Sequence, residues 1–227
     1  MLIKNLRKII RENIDSVFFE AKDFFMDEMA YPESFDFEKF KSINSYSGRL
    51  NYAKQHLLGK VGAGSSRVVF KIDSEKVLKV ALNSKGLAQN SAESEGYKQN
   101  YDVLARVFDV DYNDTWIEME LAKKVTESRF KQLTKTTPNE VVGWLMEQRG
   151  EKTYWLPNVD LKENEFAQEM QDFVFDYDYP LPGDFTRTSS YGEVLRDGIH
   201  RIVVVDFGYD QGTKDIYRSK KKKVGYY

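Results

Sequence analysis

Cysteine is absent from the 227-residue chain. That excludes a disulfide framework, a thiolate nucleophile and a Cys-ligated metal site, and it fits a reducing cytoplasm. Histidine is scarce too: the two present, His56 and His200, stand far apart, which argues against His-rich metal sites and most His-based triads. Charge of one sign is also lacking, since 34 basic and 36 acidic residues leave a formal net charge of −2. Whole-surface attraction to nucleic acid or an anionic membrane is thereby disfavoured, and only a local patch can serve. Apolar runs are a handful of residues long, well short of a bilayer span. The start, MLIKNLRKIIREN, is broken by charge too early for a secretory signal. With 41% hydrophobic and 31% charged residues, a soluble, cytoplasmic globular protein is expected, as one domain or two small lobes around a cleft.

Residues 1–57 read as helical. Leu2, Leu6, Ile9, Ile10, Val17, Ala21, Phe24 and Phe25 recur at three- and four-residue steps, a stripe expected to pack on the neighbouring domain, or else to bind a partner. Pro32 ends that helix, Ser34 is placed to cap a short helix bearing Phe37 and Phe40, and a further helix over 47–57 carries Leu50, Ala53 and Leu57. At the other end, 219–227 is a basic tail around Lys220–Lys223, read as a solvated end, with a nucleic-acid contact as the alternative.

Residues 58–122 change character. Three β-rich runs, LLGKVGAG, SRVVFKID and KVLKVAL, predict an antiparallel meander; a helix over 87–104 comes next, then two strands joined at Asn113-Asp114. Gly59, Gly62 and Gly64 lie in the first connection, where backbone N–H groups can turn toward phosphate oxygens. Ser65 and Ser66 add hydroxyl donors, and Arg67 adds a bidentate cation. Alternation puts Val77, Lys79 and Ala81 on one face of the third strand and Leu78, Val80 and Leu82 on the other. Lys79 would face the underside of the glycine loop and needs a carboxylate to fix it. Glu93 and Glu95 are the candidates, with Glu93 favoured because it shares a helical face with Tyr97, Tyr101 and Leu104.

Two acids complete the set. RIVVVDFGYD brings Asp206 out of an apolar strand, where an isolated carboxylate suits a hard divalent cation. Asp184 follows Pro182-Gly183 in a rigid loop, and Asp197-Gly198 reads as a hairpin turn that returns the chain so that the two acids lie near one another.

In this order, GAGSSRVVFK, the lysine of VLKVA, an acid on the next helix, the strand end MELA, Asp184 and Asp206-Phe207-Gly208 resemble the protein-kinase-like fold over residues 58 to about 210. The chain looks like short, divergent kinase-like proteins of bacteriophages, and is similar to the aminoglycoside and choline kinase branch in having Gly-Asp at the catalytic position. The resemblance implies an α+β, two-lobed architecture. Its parts are a five-stranded antiparallel N-lobe sheet over 58–122, a reduced, mostly helical C-lobe over 123–218, and the helical extension 1–57. It implies ATP and Mg2+ as cofactors. Gly62, Gly64, Ser65, Ser66 and Arg67 would cover the phosphates, and Lys79, held by Glu93, would contact them from below. Glu120, Leu121 and Ala122 would hydrogen-bond adenine through their backbone, with Val69 and Ala81 on its faces. Asp206 would bind magnesium, and Asp184 would orient or deprotonate an acceptor hydroxyl.

The departures are specific. Arg67 stands where the third loop glycine belongs, Pro182-Gly183 precedes Asp184, and Ser189 stands where a metal-binding asparagine is usual. No Ala-Pro-Glu segment comes after Gly208, so the C-lobe is expected to be a stub of helices near TESRFKQL, NEVVGWLMEQ and NEFAQEMQDFVF plus a hairpin. Three functions are compatible with these features: a minimal ATP-dependent phosphotransferase of unknown acceptor; a pseudokinase that binds nucleotide or a protein partner; or a contact with nucleic acid or a virion through the lysine tail.

Overall fold

A computed structural model describes residues 31–98, 101–151, 157, 159–176 and 183–208, with only the backbone of 183 and 184. The stripe of residues 2–25 and the lysine tail lie outside the described residues.

The chain is α+β and two-lobed. Two helices, α1 (Phe37–Ser42) and α2 (Tyr46–His56), precede three strands, β1 (Lys60–Ala63), β2 (Arg67–Lys71) and β3 (Lys76–Ala81). Helix α3 (Ser84–Tyr97) then leads to β4 (Val107–Val110) and β5 (Trp116–Glu120). These form a five-stranded sheet in the order β1-β2-β3-β5-β4, with every neighbouring pair antiparallel. The three-strand, one-helix, two-strand order is the one the kinase-like resemblance implies. β6 (Lys123–Lys124) opens the second lobe, followed by α4 (Glu127–Thr134), α5 (Pro138–Gln148) and α6 (Glu165–Asp176). Two 3-10 turns, Gly183–Thr186 and Thr188–Ser190, then lead into the hairpin of β7 (Tyr191–Arg196) and β8 (Ile199–Val204).

The period-two pattern of β3 divides the core between the two faces of the sheet. Leu78 and Val80 join Val68, Phe70 and Trp116 on the outer face, where α1, α2 and the segment before α1 cover them with Phe35, Phe40, Tyr52 and Ala53. The extension is thus, over its described part, a cover on the back of the sheet. Val77, Ile117 and Met119 face the other way and join the C-lobe core of Phe130, Val141, Leu145, Phe173 and Phe207. Among the described residues no helix is long and apolar enough to cross a membrane.

Local chemistry explains most boundaries. Thr137 and Glu140 form a reciprocal capping box on α5, with Pro138 in its first turn. Asp197 and Gly198 take φ of 53° and 75°, the left-handed pair that a two-residue hairpin turn needs. Two expectations need correction. α1 is capped by Asp36, whose carboxylate accepts the Lys39 N–H at 2.9 Å, while the Ser34 hydroxyl donates to the carbonyl of His56. α3 starts earlier and ends earlier than 87–104. Asn83 caps it by accepting from Lys85 and Gly86, and its end at Tyr97 leaves Tyr101 and Leu104 outside the helix. Backbone pairing wins over helical period there: Ala105 donates to Val204 and Val204 donates to Val103, which stitches the segment to β8.

Candidate functional site

Lys79 lies mid-strand in β3 opposite Val69 on one side and Ile117 on the other. Its ammonium donates to both carboxylate oxygens of Glu93, at 3.0 and 2.9 Å, and to the carbonyl of Val205 at 2.7 Å. Glu93 is therefore the partner; Glu95 pairs with Lys98 on the helix surface. Burial pushes the Lys79 ammonium below the ordinary lysine value, against the opposing pull of Glu93.

The resemblance sets Arg67 among the loop groups that cover the phosphates; the structure holds it beneath the loop instead. Arg67 starts β2, but its side chain turns inward and is almost wholly buried. The guanidinium makes a two-pronged contact with Glu93 at 2.7 and 2.9 Å, reaches Asn90 Oδ1 at 3.2 Å, and donates to Asp206 Oδ1 at 2.9 Å. Asn90 is fixed in turn by donating to the carbonyl of Asp114 at 2.8 Å. The result is a cluster of two cations and two anions joining β2, β3, α3 and the strand end at Asp206. Sequence spacing brings out the Lys79–Glu93 pair. It does not reveal Asn90 or the inward turn of Arg67, because the start of a strand can send a side chain either way.

The segment Gly64-Ser65-Ser66 between β1 and β2 is drawn down onto α3. The Asn83 side chain donates to the Ser65 carbonyl at 3.0 Å, Leu82 N–H to the Ser66 carbonyl at 2.8 Å, and the Ser66 hydroxyl to Gln89. Ser66 is buried, so its hydroxyl serves the fold in this state rather than facing a phosphate. Gly86 allows this approach: a Cβ there would sit 2.3 Å from the Ser66 carbonyl oxygen. Gly62 and Gly64 have ordinary room, with the nearest neighbours of an added Cβ at 3.9 Å.

Where the lobes join, the register of β3 and β5 corrects the placement of Ala81 that the resemblance implies. Lys76 pairs with Glu120, so the start of β3 lies beside the strand end where the lobes join. Ala81 lies at the far end, with its methyl against Gly86 of α3. Val77, on the Lys79 face and paired with Met119, is the β3 residue nearest that junction on the side facing the C-lobe core. Val69 packs on the same core. Of the Glu120–Ala122 backbone, the Glu120 N–H donates to Arg106 and the Leu121 N–H to Glu75. The Glu120 carboxylate is clamped by Arg196.

Phe207 is fully buried beneath α3, against Gly96 and Phe173, and Gly208 lies where a Cβ would come 2.6 Å from the Gln89 carbonyl oxygen. This packing fixes the backbone from which Asp206 projects, with its side chain 60% exposed. Asp184 lies in the first 3-10 turn, followed by the buried Phe185, whose carbonyl accepts from Tyr191 at 2.8 Å. Ser189 is exposed in the second turn, whose next residue, Ser190, accepts the Val205 N–H at 2.9 Å.

The described residues give a magnesium ion at Asp206 a poor set of protein donors. Among them no three acids or histidines gather around one point, so the ion would rest on this one carboxylate, with phosphate and water oxygens for the remainder. The cation beside the Asp206 carboxylate is the Arg67 guanidinium. A separate hollow of about 840 Å³, lined by residues such as Lys135, Asn164, Glu169 and His200, lies between α4, α6 and the start of β8 and includes none of these groups.

No family model matches the sequence, and no curated protein is a detectable relative. Among solved structures, the streptomycin–ATP–APH(2″)-IIa ternary complex aligns at 13% identity and a TM-score of 0.35, over 73% of this chain and 71% of that one. The SAICAR synthase of Saccharomyces cerevisiae with SAICAR aligns at 14% and 0.36, over 66% and 73%. ADP-bound aminoglycoside phosphotransferase APH(2″)-Ib aligns at 15% and 0.34, over 72% and 69%. Likeness at this distance adds no weight to the kinase-like reading.

Proposed function

We propose that the cleft beneath the β1–β2 loop binds a nucleoside triphosphate, ATP by the resemblance, and passes its terminal phosphoryl group to a hydroxyl acceptor. The observation that carries this reading is the buried Lys79–Glu93 pair, built from β3 and α3 and joined to the Asp206 strand end through Arg67 and Val205. A lysine and an arginine set in a low-dielectric site are suited to phosphate charge. A phosphate oxygen competes for the Lys79 proton now given to the neutral Val205 carbonyl, and the charged acceptor makes the stronger bond. Val69 and Val77 supply the apolar face for a base. In the transfer, the acceptor oxygen bonds to the γ-phosphorus as the bond from that phosphorus to the bridging oxygen breaks. The hydroxyl proton passes to Asp184, and ADP leaves. Base assistance of that kind is worth about 10²- to 10⁴-fold.

A second reading, nucleotide binding without turnover, draws on the Arg67–Asp206 contact, which engages the acid that a kinase-like site gives to metal. One experiment separates the two: melting-temperature shift with ATP, then incubation with γ-labelled ATP, tracking label on protein or candidate acceptors and release of ADP. A shift with ADP release and its loss in Asp184→Asn supports transfer. A shift without release supports binding alone. No shift, or a shift unchanged in Lys79→Ala, overturns the nucleotide assignment.

A further inference from the structure

We propose that Arg67, rather than a divalent metal ion, is the cation held by Asp206, and that the cleft takes nucleotide phosphates without metal at that acid. The second half rests on the nucleotide reading above; the first half does not.

Arg67 is positioned as a permanent part of the site, not as a surface side chain that happens to reach an acid. It is 6% exposed, and its guanidinium makes four hydrogen bonds to Glu93, Asn90 and Asp206. The planar fork matches this set of acceptors in a way a lysine cannot. Charge points the same way. Lys79 and Arg67 balance Glu93 and Asp206, so the four groups are neutral as they stand. A divalent ion at Asp206 would sit beside a guanidinium that Glu93 holds in place with two bonds, and like charges at such range repel strongly in a partly desolvated site.

The two ends of the Arg67 contact differ. Its Glu93 end is bidentate on a carboxylate with no exposure, whereas its Asp206 end is one bond to a carboxylate 60% exposed. The Asp206 end is thus where an incoming phosphate meets the guanidinium, while Glu93 keeps it at the site. Arg67 would supply to the phosphates the positive charge usually brought by metal, as a fixed donor fork.

The test is binding of a fluorescent ATP analogue to the intact chain in EDTA and in excess Mg2+. The affinities are expected to agree within about threefold. Arg67→Gln should lose about tenfold or more in EDTA, with Mg2+ restoring part of it. A wild-type affinity that drops about tenfold on chelation overturns the proposal, and this comparison stands even if Arg67→Gln is too unstable to use. Absence of binding under both conditions fails the nucleotide reading and the second half with it. The first half is then decided by Mn2+ titration monitored by electron paramagnetic resonance. Saturable Mn2+ binding lost in Asp206→Asn overturns it; no Asp206-dependent binding sustains it.

Discussion

Lys79 and Arg67 share one carboxylate: Glu93, wholly buried, accepts two bonds from the ammonium and two from the guanidinium. The single anion holds two cations out of water, so the three residues are not equivalent in what their loss leaves behind. Glu93→Ala takes from both buried cations their shared carboxylate, leaving Arg67 with Asn90 and Asp206, and should cost about 3–5 kcal/mol. Lys79→Met leaves Glu93 still paired with Arg67 and should cost less, about 1–3 kcal/mol. Urea denaturation at neutral pH measures both. The reverse order would show that the carboxylate is not the keystone of the cluster.

Arg196 joins the lobes. It is buried on β7, bonds the Glu120 carboxylate at the end of β5, and donates to the carbonyls of Asp102 at 2.7 Å and Leu104 at 2.8 Å. Arg196→Ala would leave a part-buried carboxylate and two carbonyls without this donor, a loss of about 3 kcal/mol in unfolding free energy. A denaturation midpoint equal to that of the wild type would reject the clamp.

Two glycines, Gly86 in α3 and Gly64 in the β1–β2 loop, separate architecture from chemistry. Gly86→Ala places a methyl against the Ser66 carbonyl and the Ala81 backbone, and should destabilise by about 1–3 kcal/mol through overpacking. Gly64→Ala meets nothing closer than 3.9 Å and has an ordinary φ, so its stability should stay within about 0.5 kcal/mol of wild type. Thermal melts of the two variants decide it. Equal losses would mean that the loop is not seated on α3 as described.

Much of this is legible in the sequence. Alternation in VLKVAL assigns both faces of β3, since a strand buried on two sides but polar at one point has few other arrangements. Asp-Gly marks the β7–β8 turn, and the three C-lobe helices fall where their apolar periods lie. Residues whose position depends on distant partners are not legible. Residues 101–104 continue a helical period, yet Val103 and Leu104 pair with β8, a strand about 100 residues later, and no local pattern encodes that. The two-residue strand β6 exists only through its pairing with β7. Arg67 reads locally as one more loop cation. Its inward turn depends on Glu93, Asn90 and Asp206, which sequence distance hides.

Glu193 gives a stability that should vanish in acid. On β7 it accepts from Arg129 of α4 at 2.9 and 2.5 Å, with His200 Nδ1 2.6 Å away on β8. The hydrogen bonds from Arg129 hold its carboxyl below the ordinary glutamate value of 4.5, with the charges of Arg129 and His200 acting in the same direction. On acidification the unfolded chain therefore takes up this proton first. The pair's contribution is complete above pH 4.5 and is lost as pH falls through the lower folded-state value. Glu193→Gln removes the charge, so the stability gap between wild type and variant should be greatest at neutral pH and close in acid. Parallel urea titrations across that range provide the check. A gap that stays constant with pH would mean the carboxylate acts by packing rather than by its charge.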